Sequence, residues 1–212
     1  MNPRTRVKIC GITRPEDGVA AALLGVDAIG LVFYANSPRC VDIEAARAVC
    51  AALPGFVTVV SLFLNPDTAL VNKVLAEVPV DLIQFHGAEP AAFCRGFNRP
   101  YIKALGMADQ LDLATKAAPY QDARGLLLDS HAIGDAGGTG LAFDWQAIPP
   151  DFRRRIILAG GLKPDNIAAA IRAVRPYAVD LSSGVESAPG IKDVVRMTRL
   201  MNEVKRVDCE AV

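Results

Sequence analysis

The sequence lacks any apolar segment long enough to cross a bilayer. Its N-terminus is polar and basic and leads directly into a short apolar run, so a signal-peptide core is also missing. Lys and Arg together number 23, as do Asp and Glu, which leaves no formal net charge. These absences argue against a general attraction to nucleic acid or to anionic membranes, and they predict that any anion site is local.

Cysteine pairs with the spacing of a metal or redox site are missing as well. The cysteines are odd in number and scattered, at Cys10, Cys40, Cys50, Cys94 and Cys209. None forms a CxxC pair or a Cys/His cluster with zinc spacing. We therefore expect reduced thiols, a cytoplasmic location and no metal ion.

What the sequence has is alternation between short apolar runs of strand type and stretches with helical periodicity. The predicted strands are Arg6–Cys10, Asp27–Phe33, Phe56–Leu64, Leu82–Phe85, Tyr101–Leu105, Gly125–Asp129, Ile156–Ala159 and Ala178–Leu181. The predicted helices are Pro15–Leu24, Ile43–Leu53, Pro66–Glu77, Pro90–Cys94, Asp109–Ala118, Asn166–Val174 and Asp193–Lys205. A further helix after the sixth strand is expected to start near Asp144 and to end before Pro149 and Pro150.

Several of the strands are apolar on both faces, as parallel strands covered by crossover helices must be. Eight strand–helix units in 212 residues favour an α/β fold of the TIM type, a single-domain (β/α)8 barrel over residues 1–212. An open doubly wound sheet is the alternative. It would need fewer strands and a glycine-rich first turn, whereas the turn after the first strand has the single glycine Gly11.

In such a barrel the chemistry lies where strands end. Strand periodicity places Lys8 and Cys10 on one face of the first strand, which we predict to be the barrel interior. A neighbouring ammonium lowers a thiol pKa, so Cys10 is a candidate general base. The competing interpretation is that Cys10 is a small buried apolar residue, as free cysteines usually are.

The sixth strand ends in a buried leucine run followed by Asp129. Partial desolvation at that position raises an aspartate pKa and suits a general acid, although a helix-capping aspartate is also common. The glycine-rich stretch 134–140 that follows reads as an active-site loop, and it contains Gly138, a candidate substrate contact.

The last two predicted strands end in loops suited to an anion. Gly160 and Gly161 follow the seventh strand, and Ser182, Ser183 and Gly184 follow the eighth. Glycine lets backbone N–H groups surround a phosphate, hydroxyl groups add donors, and a short helix would add its dipole. Barrels often bind phosphate at these two loops.

Four further residues are weaker candidates. Arg39 follows the second strand and could bind a carboxylate with both edges of its guanidinium, or it could be an ordinary loop arginine. Gln84 and His86 close the fourth strand, where His86 either binds substrate or is a hydrogen-bonded structural histidine. Asp180 in the eighth strand is expected to face inward, where it could order the site or bind sugar hydroxyls.

Taken together, these motifs resemble the phosphoribosylanthranilate isomerase family over essentially the whole chain. The matching segments, in order, are residues 8–13, 37–39, 84–87, 128–130, 137–140, 158–162 and 182–186. The first and last of these are specific, and the glycine pairs alone are not. The segment 34–37 departs from the family pattern, so the shape of that loop is open.

The resemblance implies an Amadori rearrangement of N-(5-phosphoribosyl)anthranilate in tryptophan biosynthesis, with neither a metal nor an organic cofactor. It implies that Asp129 is the general acid, Cys10 the general base and Arg39 the partner of the anthranilate carboxylate. The loops at Gly160–Gly161 and Ser182–Gly184 would hold the phosphate. Independently of the resemblance, Lys8, His86, Asp180 and Gly138 are further candidate substrate contacts, and the roles of His86 and Asp180 are left open. The expected partner is this phosphosugar alone, and the chain is expected to be a monomer or a homodimer.

Rival hypotheses remain at this point. An indole-3-glycerol-phosphate synthase would need inward lysine and glutamate residues at several strand ends, which we do not find. A ribulose-phosphate epimerase would need metal-binding His and Asp residues, and only His86 is suitably placed. A barrel that only senses a sugar phosphate would need the phosphate loops but no acid–base pair.

Overall fold

Eight parallel strands close into a barrel in the computed structural model, which describes residues 4–107, 112–130, 145 and 148–210. Neighbours in the barrel follow chain order, and the first strand pairs with the eighth. The strands are β1 Arg6–Cys10, β2 Ala28–Val32, β3 Thr58–Phe63, β4 Leu82–Phe85, β5 Tyr101–Gly106, β6 Gly125–Asp129, β7 Ile156–Leu158 and β8 Ala178–Leu181. The predicted (β/α)8 fold is therefore confirmed, and the open-sheet alternative is wrong.

Helices cover the outside of the barrel, and the starts of several are capped by aspartates. The side chains of Asp42, Asp67 and Asp112 accept hydrogen bonds from backbone N–H groups of the first turns they precede. The helices are α1 Pro15–Leu23, α2 Ile43–Ala52, α3 Thr68–Glu77, α4 Ala91–Cys94, α5 Leu113–Ala117, α6 Ile167–Val174 and α7 Val194–Glu210. Helix α7 closes the ring by packing against α6 and α1.

The alternation of side chains along each strand produces two cores. The outward-facing residues, Ile9, Phe63 and Leu128 among them, pack against the helices in one large cluster. The inward-facing residues fill the barrel with a smaller cluster, of Val60, Ile102, Ala104, Leu127, Ile157, Ala159 and Ala178. Ala159 of this inner cluster also lines the cavity that opens where the strands end.

Some predicted boundaries were wrong by a few residues. The third strand begins at Thr58, and Phe56 lies fully exposed before it. The predicted helix Pro90–Cys94 is a four-residue α4 continued by a 3-10 turn over Arg95–Phe97, and α7 runs five residues past Lys205. The start predicted for the fifth helix at Asp109 and the start near Asp144 lie outside the described residues.

Three elements were not predicted, and one of them is a short 3-10 helix over Ala118–Tyr120. A 3-10 helix spans Pro150–Arg155, where Pro150 stands in the first turn and therefore needs no N–H partner. A small antiparallel hairpin follows β8, with strands β9 Glu186–Ala188 and β10 Ile191–Lys192 and a turn in which Gly190 has φ of 79°. Among the helices of the described ranges, none has the length and apolar character needed to cross a membrane.

Candidate functional site

A cavity of about 210 Å³ opens at the carboxyl ends of the barrel strands. It is lined by Cys10, Val32, Tyr34, Ser37, Pro38, Arg39, Leu62, Leu64, Gln84, His86, Asp129, Ala159, Gly160, Gly161, Leu162, Asp180, Leu181, Ser182 and Ser183. Apolar side chains from the β2 and β3 ends form one wall, and the glycine and serine loops after β7 and β8 form the other. One side of the cavity is thus suited to a ring, and the other to an anion.

Lys8 and Asp180 form a buried ion pair beside Cys10. Strands β1 and β8 place the two residues opposite each other, and the Lys8 Nζ atom donates to both Asp180 oxygens at 2.9 Å. A methyl group built on Gly30 in β2 would lie 2.7 Å from Cys10 Sγ and 3.1 Å from Lys8 Nζ. The missing side chain of Gly30 therefore makes the room in which the thiol and the ammonium meet.

The pKa of Cys10 is raised from its usual value, although Lys8 lowers it as predicted. Burial is the largest cause. Lys8 and Lys192 pull the pKa down, but they do not outweigh burial and the carboxylate of Asp180. At rest the thiol is therefore held in its protonated form. The pKa of Lys8, in contrast, is raised despite burial because Asp180 and Cys10 stabilise its charge.

Asp129 lies at the end of β6, facing His86. The His86 Nε2 atom is 3.7 Å from Asp129 Oδ2, and the hydroxyl of Ser130 donates to Asp129 Oδ1 at 3.4 Å. Burial lowers the pKa of His86 to about 4, so the ring is neutral near pH 7. The amide nitrogen of Gln84 lies 3.0 Å from His86 Nδ1, and as the donor it leaves the ring proton on Nε2, towards Asp129.

Arg39 is held at the cavity wall by a second buried ionic cluster. Its Nε and Nη2 atoms donate to the two oxygens of Glu186 at 2.9 and 2.7 Å. Lys192 donates to the same carboxylate at 2.7 Å. Burial would raise the pKa of Glu186, but these hydrogen bonds outweigh it and hold the pKa below its usual range.

The loops after β7 and β8 lie side by side. Gly160 and Gly161 have φ of 81° and 63°, a region that glycine adopts without strain, and a methyl group on Gly160 would lie 2.6 Å from the backbone nitrogen of Ser130. The helix expected after β8 is a 3-10 turn of three residues, Ser183–Val185. Among the described residues, the Ser182 hydroxyl is a buried polar group without a protein partner, which leaves it available to a ligand.

The structure brings most of the predicted site residues to one cavity. Ten of them line it: Cys10, Arg39, Gln84, His86, Asp129, Gly160, Gly161, Asp180, Ser182 and Ser183. Lys8 does not line the cavity but lies beneath it against Asp180, and Gly184 packs against the backbone of Leu162. Gly138 lies outside the described residues.

Two charged residues of the site were not singled out from the sequence. Glu186 belonged to the matching segment 182–186 but was given no role of its own, and Lys192 was not considered. A signal existed for Lys192, because it follows Pro189 and Gly190 in a turn pattern that predicts a hairpin. Groups of three or more metal-binding side chains are absent from the described ranges.

Comparison with known proteins agrees with this geometry. Residues 7–203 match the family model of N-(5'phosphoribosyl)anthranilate (PRA) isomerase. A protein of that name from Pseudomonas fluorescens is 55% identical over 204 residues, which cover 96% of this chain and 97% of the relative.

Solved structures of the same family share the fold. A phosphoribosyl anthranilate isomerase from Thermotoga maritima is 39% identical, with a TM-score of 0.87, and the match covers 95% of this chain and 99% of the other. A second structure, of a phosphoribosyl anthranilate isomerase in complex with reduced 1-(o-carboxyphenylamino)-1-deoxyribulose 5-phosphate, is 38% identical, with a TM-score of 0.84 and the same coverage.

Proposed function

The chain belongs to the family of N-(5'-phosphoribosyl)anthranilate isomerases, and we propose that it isomerises this substrate in tryptophan biosynthesis with Asp129 as general acid and Cys10 as general base. The observation that carries these assignments is that both side chains line one cavity between Arg39 and the loops after β7 and β8. A protonated ring oxygen and a departing C2 proton both need such a group within reach.

The two charged ends of the substrate fit the two polar ends of the cavity. The phosphate would lie against Gly160, Gly161 and Ser182, whose buried hydroxyl has no partner elsewhere in the described chain. The anthranilate ring would lie against the apolar wall at Leu62, with its carboxylate towards Arg39. The complex of a relative with a reduced product analogue supports a ligand of this class. Anchoring both ends holds the ribose between the acid and the base.

In the first step Asp129 gives its proton to the ribose ring oxygen. The bond from that oxygen to C1 breaks, and the anthranilate nitrogen supplies electrons to form the iminium. The neutral His86 carries its proton on Nε2 and faces Asp129, so it can stabilise the carboxylate that forms. His86 thus supports the acid without itself being an acid at neutral pH.

In the second step the Cys10 thiolate removes the proton from C2. The electrons of that bond form a C1–C2 double bond while the iminium π electrons return to nitrogen, which yields an enolamine. Loss of the proton from the C2 hydroxyl and protonation of C1 then give the ketose. Because burial raises the pKa of Cys10, the thiolate form depends on Lys8, which lowers that pKa from beneath. Asp180 orients Lys8 and presents a carboxylate to the sugar hydroxyls.

The assignments are tested by the decay of anthranilate fluorescence from freshly prepared phosphoribosylanthranilate. We expect rapid turnover by the unmodified protein and a loss of kcat/KM of roughly 10²–10⁴ in both Cys10→Ser and Asp129→Asn. Matched controls are Cys209→Ser, at an exposed cysteine, and Asp122→Asn, at an aspartate outside the cavity. If Cys10→Ser keeps full activity, the base has been assigned to the wrong residue.

The cytoplasmic location, the single-domain organisation and the monomeric or homodimeric state also remain proposals. Cell fractionation measures the first, limited proteolysis the second and sedimentation the third. A metal requirement would contradict the cofactor-free chemistry, and saturating chelator should therefore leave the rate unchanged.

A further inference from the structure

The hairpin formed by β9 and β10 joins the parts of the site that would bind and react. Glu186 at its start and Lys192 at its end are both almost fully buried and contact each other at 2.7 Å. Glu186 holds the guanidinium of Arg39 through two hydrogen bonds. Lys192 also donates to the backbone carbonyl groups of Cys10 at 2.6 Å and Ser182 at 3.4 Å. Two side chains therefore connect the guanidinium of Arg39, the backbone of Cys10 and the serine loop.

The guanidinium of Arg39 is presented to the cavity in one orientation. Glu186 occupies Nε and Nη2, whereas Nη1 makes no hydrogen bond to the described part of the chain. The stem of the arginine lies over Gly11, because a methyl group there would come within 2.5 Å of Arg39 Cδ. Arg39 lines the cavity with its stem and two of its donor nitrogens held, so Nη1 is a donor that a ligand can use.

We propose that Glu186 is a positioning residue that fixes the guanidinium of Arg39 for the carboxylate of the substrate. The proposal rests on the proposed function, since it assigns the ligand of Arg39. A free arginine side chain loses rotamer freedom when it binds, and a side chain already fixed by a buried carboxylate avoids that loss. Lys192 balances the charge of Glu186 and ties the arrangement to the loops that carry Cys10 and Ser182.

A competing role for Glu186 makes the opposite prediction. If its carboxylate merely occupied Arg39 until the substrate displaced it, removal of the charge would tighten substrate binding. If Glu186 positions Arg39, removal weakens the binding of ligands that carry the carboxylate and spares those that do not. A purely structural role would weaken both ligands equally.

The experiment compares two reduced product analogues, reduced 1-(o-carboxyphenylamino)-1-deoxyribulose 5-phosphate and the same compound without its carboxylate. Calorimetry measures the Kd of each for the unmodified protein, for Glu186→Gln and for Glu210→Gln, an exposed control outside the cavity. We expect Glu186→Gln to raise the Kd of the carboxylated analogue about tenfold, as befits one charged hydrogen bond. The Kd of the decarboxylated analogue should stay within about twofold, and Glu210→Gln should change neither.

Steady-state rates separate positioning from chemistry. Glu186→Gln should raise KM for phosphoribosylanthranilate by about the same factor with little change in kcat. In an Arg39→Lys background, where no bidentate pair can form, Glu186→Gln should have no further effect on the carboxylated analogue. Should Glu186→Gln fail to fold, Glu186→Asp keeps the charge, shortens the reach and should show a smaller loss of the same kind.

The outcomes remain distinct from those of the proposed function. No turnover by the unmodified protein overturns the isomerase assignment. The calorimetric comparison of the two analogues still tests the positioning role of Glu186. Tighter binding of the carboxylated analogue by Glu186→Gln, or equal weakening of both analogues, overturns the positioning role.

Discussion

Two buried lysine–carboxylate pairs lie on opposite sides of the barrel wall and have different surroundings. Lys8 and Asp180 face the interior, and Asp180 opens onto the cavity. Lys103 and Glu89 face outward from β5 and from the loop after β4, and each of their side chains is only 2% exposed. Both pairs have an N–O distance of 2.9 Å, so distance alone does not separate them.

The two pairs differ in how many further hydrogen bonds they form with backbone groups. Lys103 also donates to the carbonyl groups of Phe85 and Gly87, and Glu89 accepts from the N–H groups of Asn65 and Gly87. The outer pair therefore ties together the loops after β3 and β4. The inner pair keeps part of its hydrogen-bonding capacity directed at the thiol and the cavity. We infer that the outer pair, which is fully satisfied, serves stability and that the inner pair, which is partly satisfied, serves chemistry.

The largest effect is expected at the outer pair. Lys103→Met should lower the free energy of unfolding by about 3–5 kcal/mol, because it leaves Glu89 as a buried, unpaired charge. The kcat of the protein that remains folded should change little, since neither residue lines the cavity. Urea unfolding measures the loss, with the exposed Lys73→Met as the control expected to stay within about 0.5 kcal/mol. A loss of kcat without a loss of stability would contradict the comparison.

At the inner pair we expect a large loss of activity and a smaller loss of stability. Lys8→Met removes the ammonium that lowers the pKa of Cys10, and loss of an opposite charge at close range raises a pKa by roughly 1–3 units. The thiolate fraction, and with it kcat/KM near pH 8, should fall at least about tenfold. Unfolding should be less affected than in Lys103→Met, because Asp180 can take up a proton at the cavity edge.

The pH profile sharpens this expectation. A general base works deprotonated, and burial raises the pKa of Cys10, so kcat/KM of the unmodified protein should still be rising above about pH 8.5. In Lys8→Met the rise should move to still higher pH. A profile that levels off well below pH 8 in both proteins would mean that Cys10 is not the titrating base.

A further effect, which appears only below pH 7, is expected at His86. Its folded pKa of about 4 lies below the unfolded value near 6.5, so below pH 6.5 the unfolded chain binds a proton that the folded chain does not. Stability from this residue is thus complete at pH 7 and is lost as the pH falls. Between pH 7 and pH 5 it should contribute about 2 kcal/mol to the decrease in unfolding free energy. His86→Asn should remove that part of the decrease, while the curves stay parallel above pH 7.

Local patterns were enough to predict the barrel and much of its cavity. The first strand, Arg6–Cys10, and the eighth, Ala178–Leu181, were predicted at their observed bounds because apolar runs and turn residues mark both ends. The inward direction of Lys8 and Asp180 followed from period-two alternation. The lowering effect of Lys8 on the pKa of Cys10 was predicted correctly, but the net rise was not, because a sequence does not show the depth of burial.

The sequence alone could not predict which side chains pair across distant parts of the chain. Arg39 and Glu186 are 147 positions apart, and Lys192 and the Cys10 carbonyl 182. Such contacts depend on how the loops pack after the barrel closes. Lys103 did carry a signal, because a lysine within the apolar strand Tyr101–Gly106 must be buried or face the helices. Its partner Glu89 could not be identified from the sequence alone.

The most direct test of the proposed chemistry is a crystal structure of this protein with the reduced product analogue bound. We expect the phosphate at Gly160, Gly161 and Ser182 and the carboxylate at Arg39. C2 should then lie within roughly 3.5 Å of Cys10 Sγ, as proton removal requires. A ligand bound in the reverse direction, or with C2 far from the sulfur, would contradict the assignment of Cys10 as the base.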